Sequence, residues 1–228
     1  AAAKEPASIL HRDRYDGSVS METSIARTLK LNDMAAGDFD FVELYSCFPC
    51  VPKMARRILG WPWDRPATVF GGLTFGGGPI ANYMSHAIVS MVDKLRGEGR
   101  YGFLFANGGF ATDNHCIILG SQPIAAASFP QDFDYQAEAE AKRGPVPDLV
   151  EDYAGLATIE SYTIFYGRDG GPKAGVVVAR TPAGDRTLAH VDVGDAAMLA
   201  FLTDGTTEPV GTGGQIVALE DGFGWRAA

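Results

Sequence analysis

Three groups of residues are spaced so that they could do chemistry. The first is Cys47-Phe48-Pro49-Cys50, a Cys-x-x-Cys pair that follows an apolar run and opens a helical pattern. In that context a helix N-terminus lowers the first thiol's pKa, which suits thiol–disulfide exchange. The competing reading is two small residues buried at a helix start. The second group is Tyr45, His86 and His115. His115 follows a glycine turn, a position suited to proton transfer, and Tyr45 closes a strand-like run that points at the same region. His86 sits in a long amphipathic segment one turn after Asn82, where a satisfied core histidine is the competing reading. The third is backbone. Gly71-Gly72, Gly76-Gly77-Gly78 and Asn107-Gly108-Gly109 mark two loops at strand ends where a ligand can approach the main chain closely. Gly71-Gly72 and Gly76-Gly77-Gly78 lack the spacing of a dinucleotide or P-loop fingerprint, and no lysine follows. Zinc needs three or four ligands. Cys47 and Cys50 with His86, His115 or Cys116 do not form a spaced set, so no metal is expected.

The elements that must hold these residues follow from periodicity. Met21 to Leu31 reads as a helix with Ser20 as its cap, and Phe39 to Tyr45 as a buried strand. Pro52 to Leu59 reads as a second helix, stopped by Gly60. Ala67 to Phe70 reads as a short strand leading into the glycine loop, Ile80 to Leu95 as a long helix, and Tyr101 to Ala106 as a strand. Cys116 to Leu119 reads as the strand that closes this part. Ligands of α/β folds sit at such strand ends.

The acidic, alanine-rich and then proline-containing stretch 126–150 reads as a linker or a short surface helix. Beyond it the style changes to short β-branched and aromatic runs with tight turns and one interposed helix over Asp195 to Leu202. That pattern predicts a small OB-like barrel over 151–228, after an α/β domain over 1–125.

Composition excludes some functions. The 228 residues carry a formal net charge of -9 with no basic stripe, which argues against nucleic acid as a partner. No apolar run reaches the roughly 18 residues of a membrane helix. Three cysteines are an odd number for a disulfide framework, and a reducing cytoplasm is expected. The start has neither a secretory pattern nor a Met, so the chain is expected to be processed, tagged or cut from something longer.

At these residues the chain resembles the C-terminal half of a thiolase. Phe39-Asp40-Phe41-Val42-Glu43-Leu44-Tyr45-Ser46-Cys47-Phe48 is similar to the motif that reads Asn-Glu-Ala-Phe in ordinary thiolases and His-Asp-Cys-Phe in the lipid-carrier type. Gly71 to Pro79 resembles the Gly-Gly…Gly-His-Pro loop, and Ala106-Asn107-Gly108-Gly109 the last glycine turn. The likeness covers about residues 15 to 120, and the tail resembles the additional C-terminal domain of thiolase-like proteins.

The departures are specific. Tyr45 stands where a thiolase has its oxyanion-hole Asn or His, Gly78 where the loop histidine belongs, and Ala106 where the acid–base cysteine belongs. The nucleophilic cysteine belongs to an N-terminal half. The resemblance implies an acyl-CoA-type thioester as substrate, no further cofactor, an N-terminal thiolase half as partner, and self-association. With the usual groups replaced, the chemistry it leaves open is carbon–carbon cleavage or formation of the retro-aldol kind, with Tyr45 and His115 as the pair. Gly77, Gly78, Asn107, Gly108, Gly109, Tyr83 and His86 would then line the substrate. A non-catalytic acyl-CoA-binding or scaffold protein and thiol redox through Cys47 and Cys50 are the alternatives. No thiolase chemistry is expected of this chain alone.

Overall fold

The computed structural model describes residues 1–123 and 132–227. They form two compact units, Ala1–Gly144 and Pro145–Ala228. The domain boundary expected at 125/126 lies outside the described residues.

The first unit holds β1 (Ala2–Lys4), α1 (Val19–Leu31), β2 (Phe41–Leu44), α2 (Cys50–Leu59), α3 (Gly72–Gly76), α4 (Tyr83–Gly97), β3 (Tyr101–Gly108), β4 (Asp113–Gly120) and α5 (Gln136–Lys142). Its sheet runs β1-β4-β3-β2. β2 and β3 are parallel and the other pairs antiparallel. Parallel neighbours need a long crossover, which α2, α3 and α4 supply.

Strand alternation assigns the two faces. Phe103 and Phe105 of β3 pack with Met21 and Ile25 of α1 and Val51, Met54, Ala55 and Leu59 of α2. Leu104, between them, packs on the other side with Tyr83, Ala87, Met91 and Leu95, which recur every four residues along α4. α1 starts where Ser18, not Ser20, accepts a 3.1 Å bond from the Met21 N–H. Gly60 ends α2 in a left-handed conformation with φ 76°, which a residue without Cβ adopts at little cost.

Several expectations are corrected here. Ala67 to Phe70 is not a strand, because the N–H groups of Val69 and Phe70 go to a side chain, Glu43, and not to a neighbouring strand. The glycine loop contains the short helix α3, and α4 begins at Tyr83 instead of Ile80. His115 follows the glycine turn as expected, but the closing strand starts at Asp113 and not at Cys116, so His115 lies inside β4, paired with Ala106 and Ala2. Periodicity missed β1, which is only three residues long. Of the two readings of the stretch 126–150, the short helix is found: it is α5, and its Ala139 is buried with Ala3 and Val19 of the first unit.

The second unit is a closed barrel of β5 (Gly155–Tyr166), β6 (Pro172–Arg180), β7 (Arg186–Val191), β8 (Gly213–Leu219) and β9 (Gly222–Ala227), in the order β5-β6-β7-β9-β8. α6 (Ala196–Thr203) falls between the third and fourth strands, which is the OB arrangement. Asp195 caps it, accepting from the N–H groups of Ala197 and Met198 at 3.0 Å each. Met198 and Leu202 bury its apolar side against Ile159, Val177, Ile216 and Trp225. β9 went unpredicted because two glycines and an arginine break its apolar pattern. Among the described residues no helix is long and apolar enough to cross a membrane.

Candidate active site

A cavity of about 260 Å3 opens where β2 ends, β3 and β4 meet, and α4 begins. Tyr45, Tyr83, Ala106, Asn107, Gly108 and His115 line it, joined by Ala81, Met84 and Asp113. The two residues expected to form an acid–base pair thus share one cavity, although they come from opposite ends of the α/β pattern. β2 carries Tyr45 there directly: its backbone N–H donates to the Phe105 carbonyl at 3.1 Å, extending the parallel pairing by one residue. His115 arrives by register, opposite Ala106. Larger hollows exist, about 940 Å3 beside Leu31 and Arg100 and about 800 Å3 beside α6 in the barrel. Neither includes a residue whose type and spacing suggested chemistry.

Burial above all pushes the Tyr45 phenol up, with Cys47 adding to it, so this hydroxyl stays protonated. Its ring packs at 4.8 Å from that of Tyr83. Tyr83 contributes only its ring. Its hydroxyl donates to Glu43 at 2.6 Å, and burial first, then that carboxylate, holds the phenol far above its usual range.

Glu43 escaped notice in the sequence and is the anchor of the glycine loop. It is fully buried, and its carboxylate accepts from the Thr68 hydroxyl, the Val69 and Phe70 N–H groups at 2.8 and 3.0 Å, and Tyr83. Thr68 Oγ1 in turn accepts from the N–H groups of Gly71 and Gly72 at 2.8 and 3.1 Å. Ser46 Oγ accepts from the Leu73 N–H at 3.2 Å. The signal was available: one carboxylate inside Phe41-Val42-Glu43-Leu44 must find donors if that strand is buried.

Other expected site residues fall elsewhere. Gly77 and Gly78 do not line the cavity, and a Cβ on either would meet nothing within 4 Å. The constrained glycines are Gly71, Gly72 and Gly77, at φ 96°, 67° and 69°, and Gly76, whose Cβ position is filled by the Phe70 ring. His86 is exposed on α4, 3.1 Å from the Asn82 amide nitrogen and stacked at 5.7 Å on Phe70, outside the cavity wall. Gly109 is not a wall residue either; with φ 58° it starts the turn from β3 to β4.

The redox reading meets a geometric objection. The helix start carries Cys50, and Cys47 lies three residues before it. The Cys47 thiol faces carbonyl oxygens, donating to Asn107 Oδ1 at 3.1 Å and lying 3.8 Å from the Gly109 carbonyl. Burial pushes this thiol up, the opposite of what attack on a disulfide needs. Cys116 is buried and pushed up to about 12, chiefly by the same desolvation. Among the described residues no three His, Cys, Asp or Glu side chains cluster as a metal site.

Comparison with known proteins adds the following. Residues 136–222 match the family described as the thiolase-like protein type 1 additional C-terminal domain. The chain aligns with the crystal structure of a monomeric SCP2-thiolase like protein type 1 from Mycobacterium smegmatis, at 29% identity and a TM-score of 0.81. The alignment covers 100% of this chain and 49% of that one, so the chain spans about half the length of its structural relative. No curated protein sequence matches significantly. The chain is therefore thiolase-like, an α/β unit of that kind followed by the barrel found as the additional C-terminal domain of type 1 thiolase-like proteins.

Proposed function

We propose that the cavity at Tyr45 and His115 receives the reacting end of an acyl-CoA-type thioester and cleaves or forms a carbon–carbon bond by retro-aldol chemistry. The observation that carries this is the shared cavity: a phenol kept protonated by burial and an imidazole, beside an alanine at the position of the thiolase acid–base cysteine. For a 3-hydroxyacyl thioester the His115 imidazole takes the hydroxyl proton. The Cα–Cβ bond breaks, Cβ becomes an aldehyde or ketone carbon, and the bonding pair moves through Cα onto the thioester oxygen as an enolate. Tyr45 then gives a proton to Cα, and the proton held by His115 passes to the Tyr45 phenolate, which restores both groups. The products are a carbonyl compound and a shortened acyl thioester; no oxidant, water or nucleophilic cysteine enters the balance.

The reading includes a second half. Phe75 is 85% exposed and Ile80 96% exposed on the loop leading to α4, an apolar surface suited to an N-terminal thiolase half or a second copy of the chain. The test uses the intact protein with its upstream half and 3-hydroxyacyl-CoA, with release of the carbonyl product followed by mass spectrometry. Tyr45→Phe and His115→Asn should each lower turnover by 100-fold or more, on the scale of removing a general acid or base. The chain alone should stay at the uncatalysed rate. Saturable thioester binding without release by the intact protein would favour a non-catalytic binding role.

A further inference from the structure

Asn107 lines the cavity, yet its side chain is fully engaged behind it. Backbone carbonyls only accept hydrogen bonds, and this fixes every orientation in the group. Asn114 is fully buried, and its Nδ2 lies 3.1 Å from the Ala111 carbonyl and 3.3 Å from that of Thr112. That end must be the amide nitrogen, so Oδ1 faces Asn107. Asn107 meets it with Nδ2 at 3.1 Å, and the same nitrogen donates to the Asp113 carbonyl at 3.1 Å. Asn107 Oδ1 is thereby turned toward Cys47, whose sulfur must be the donor.

The chain continues inward with the same polarity. Asn114 Nδ2 donates to Ser20 Oγ at 2.8 Å, and Ser20 Oγ donates to Glu5 Oε1 at 3.0 Å. Glu5 is buried. Burial raises its pKa, but bonds from the Ser20 N–H, Ser18 and Arg143 outweigh that and leave it below the usual carboxylate range. Every donor in the series therefore points toward an anion, and such chains polarise one another in the same sense.

We infer that Asn107 and Asn114 are positioning residues: their Glu5-anchored relay holds the Cys47 thiol as a neutral hydrogen-bond donor behind the cavity wall. Substrate meets the backbone of Asn107, not its amide. The inference rests on the Tyr45–His115 cavity being the site only for its functional meaning; the state of the thiol is a property of the chain itself. The groups facing Cys47 agree on balance. Two carbonyl oxygens oppose a thiolate, Cys50 and Tyr45 are the titratable neighbours, and the N–H groups of Cys47 and Phe48, which favour the thiolate, are outweighed.

The experiment is alkylation of Cys47 by iodoacetamide across pH, in the purified chain carrying Cys50→Ser, with Cys116 protected by burial. The relay predicts slow alkylation with a midpoint above that of a free thiol. Asn107→Ala removes the acceptor and should raise the rate at pH 8 about tenfold, with the midpoint falling by about one unit. Asn114→Ala leaves Asn107 one anchor, the Asp113 carbonyl, and should fall between the two. Circular dichroism identifies any variant that does not fold, and Asn107→Ala alone decides if Asn114→Ala is lost. An unchanged profile in folded Asn107→Ala, or a wild-type midpoint at or below that of a free thiol, overturns the inference. Neither result depends on turnover, so a failure here is distinguishable from a failure of the retro-aldol reading.

Discussion

The two units bury polar groups in different ways. Among the described residues the α/β unit encloses Glu5, Ser18, Ser20, Glu43, Asn107 and Asn114, besides Arg12 and the α1 hydroxyls of Thr23, Ser24 and Thr28, while the barrel encloses Thr181, Arg186 and Thr187. In the barrel Arg186 binds the Glu160 carboxylate through Nε and Nη2 at 2.8 Å each, tying β7 to β5. There a polar pair fastens strands whose packing is otherwise apolar. In the α/β unit two of these groups fix loops, Glu43 the glycine loop and Asn114 the 109–112 turn. Apolar packing alone leaves loop conformations degenerate, since any hydrophobic group of suitable size fills a core. Directional bonds do not, and here the same groups also hold two residues of the cavity wall, Tyr83 through Glu43 and Asn107 through Asn114.

The strongest way to break this comparison is Glu43→Leu. Four donors lose their acceptor, and removing one side of a buried charged network typically costs about 3–5 kcal/mol. Hydrogen exchange should show the α/β unit losing protection by that amount, with the barrel's strands unaffected. Equal loss in both units, or none, would mean that Glu43 does not organise the loop. The barrel counterpart, Arg186→Met, should cost about 3 kcal/mol or less, since a well-packed apolar replacement recovers part of the loss.

Acid sharpens the same contrast. Burial raises the pKa of both Glu5 and Glu160, but their hydrogen bonds and cations overcome it, so both fold with a pKa below the 4.5 of the unfolded chain. A depressed carboxyl contributes stability that is full above its unfolded pKa and fades as pH falls through the folded value. Both units should therefore loosen below about pH 4.5. Glu5→Gln should flatten the acid limb of the α/β unit only, and Glu160→Gln that of the barrel only. Cross-effects in urea titrations between pH 3 and 6 would contradict independent networks.

Much of the fold was legible because the period of the apolar residues is local information. α1, α2, α4 and most barrel strands follow from it within a few residues. The placement of Tyr45 and His115 at one cavity was also legible, one from its place at a strand end and the other from the glycine turn before it. The relay was not. Glu43 takes its donors from positions 25 to 40 residues away, and Asn114 reaches Ser20 across 94. No spacing rule connects such partners before the sheet brings them together. The glycines fall between these cases. Their density marked a special loop correctly, but which of them is indispensable depends on φ and on what faces the absent Cβ, both set by tertiary structure.

The smallest predicted effect tests that last point. Gly77 and Gly78 are adjacent, and a Cβ on either has open space. Contacts therefore cannot separate them, and only backbone conformation can. Gly77 has φ 69° with ψ -175°, a backbone region essentially confined to glycine, where an L-side chain costs at least about 1 kcal/mol. Gly78 lies outside that region, so alanine there meets neither a clash nor backbone strain, and it also reduces the freedom of the unfolded chain. Gly77→Ala should lower stability by at least about 1 kcal/mol, whereas Gly78→Ala should be neutral or stabilise by about 0.5 kcal/mol. Urea unfolding of the two single variants, with hydrogen exchange assigning the change to the α/β unit, resolves a difference of that size. Equal losses at both positions would mean that the loop is held by contacts and not by dihedral preference.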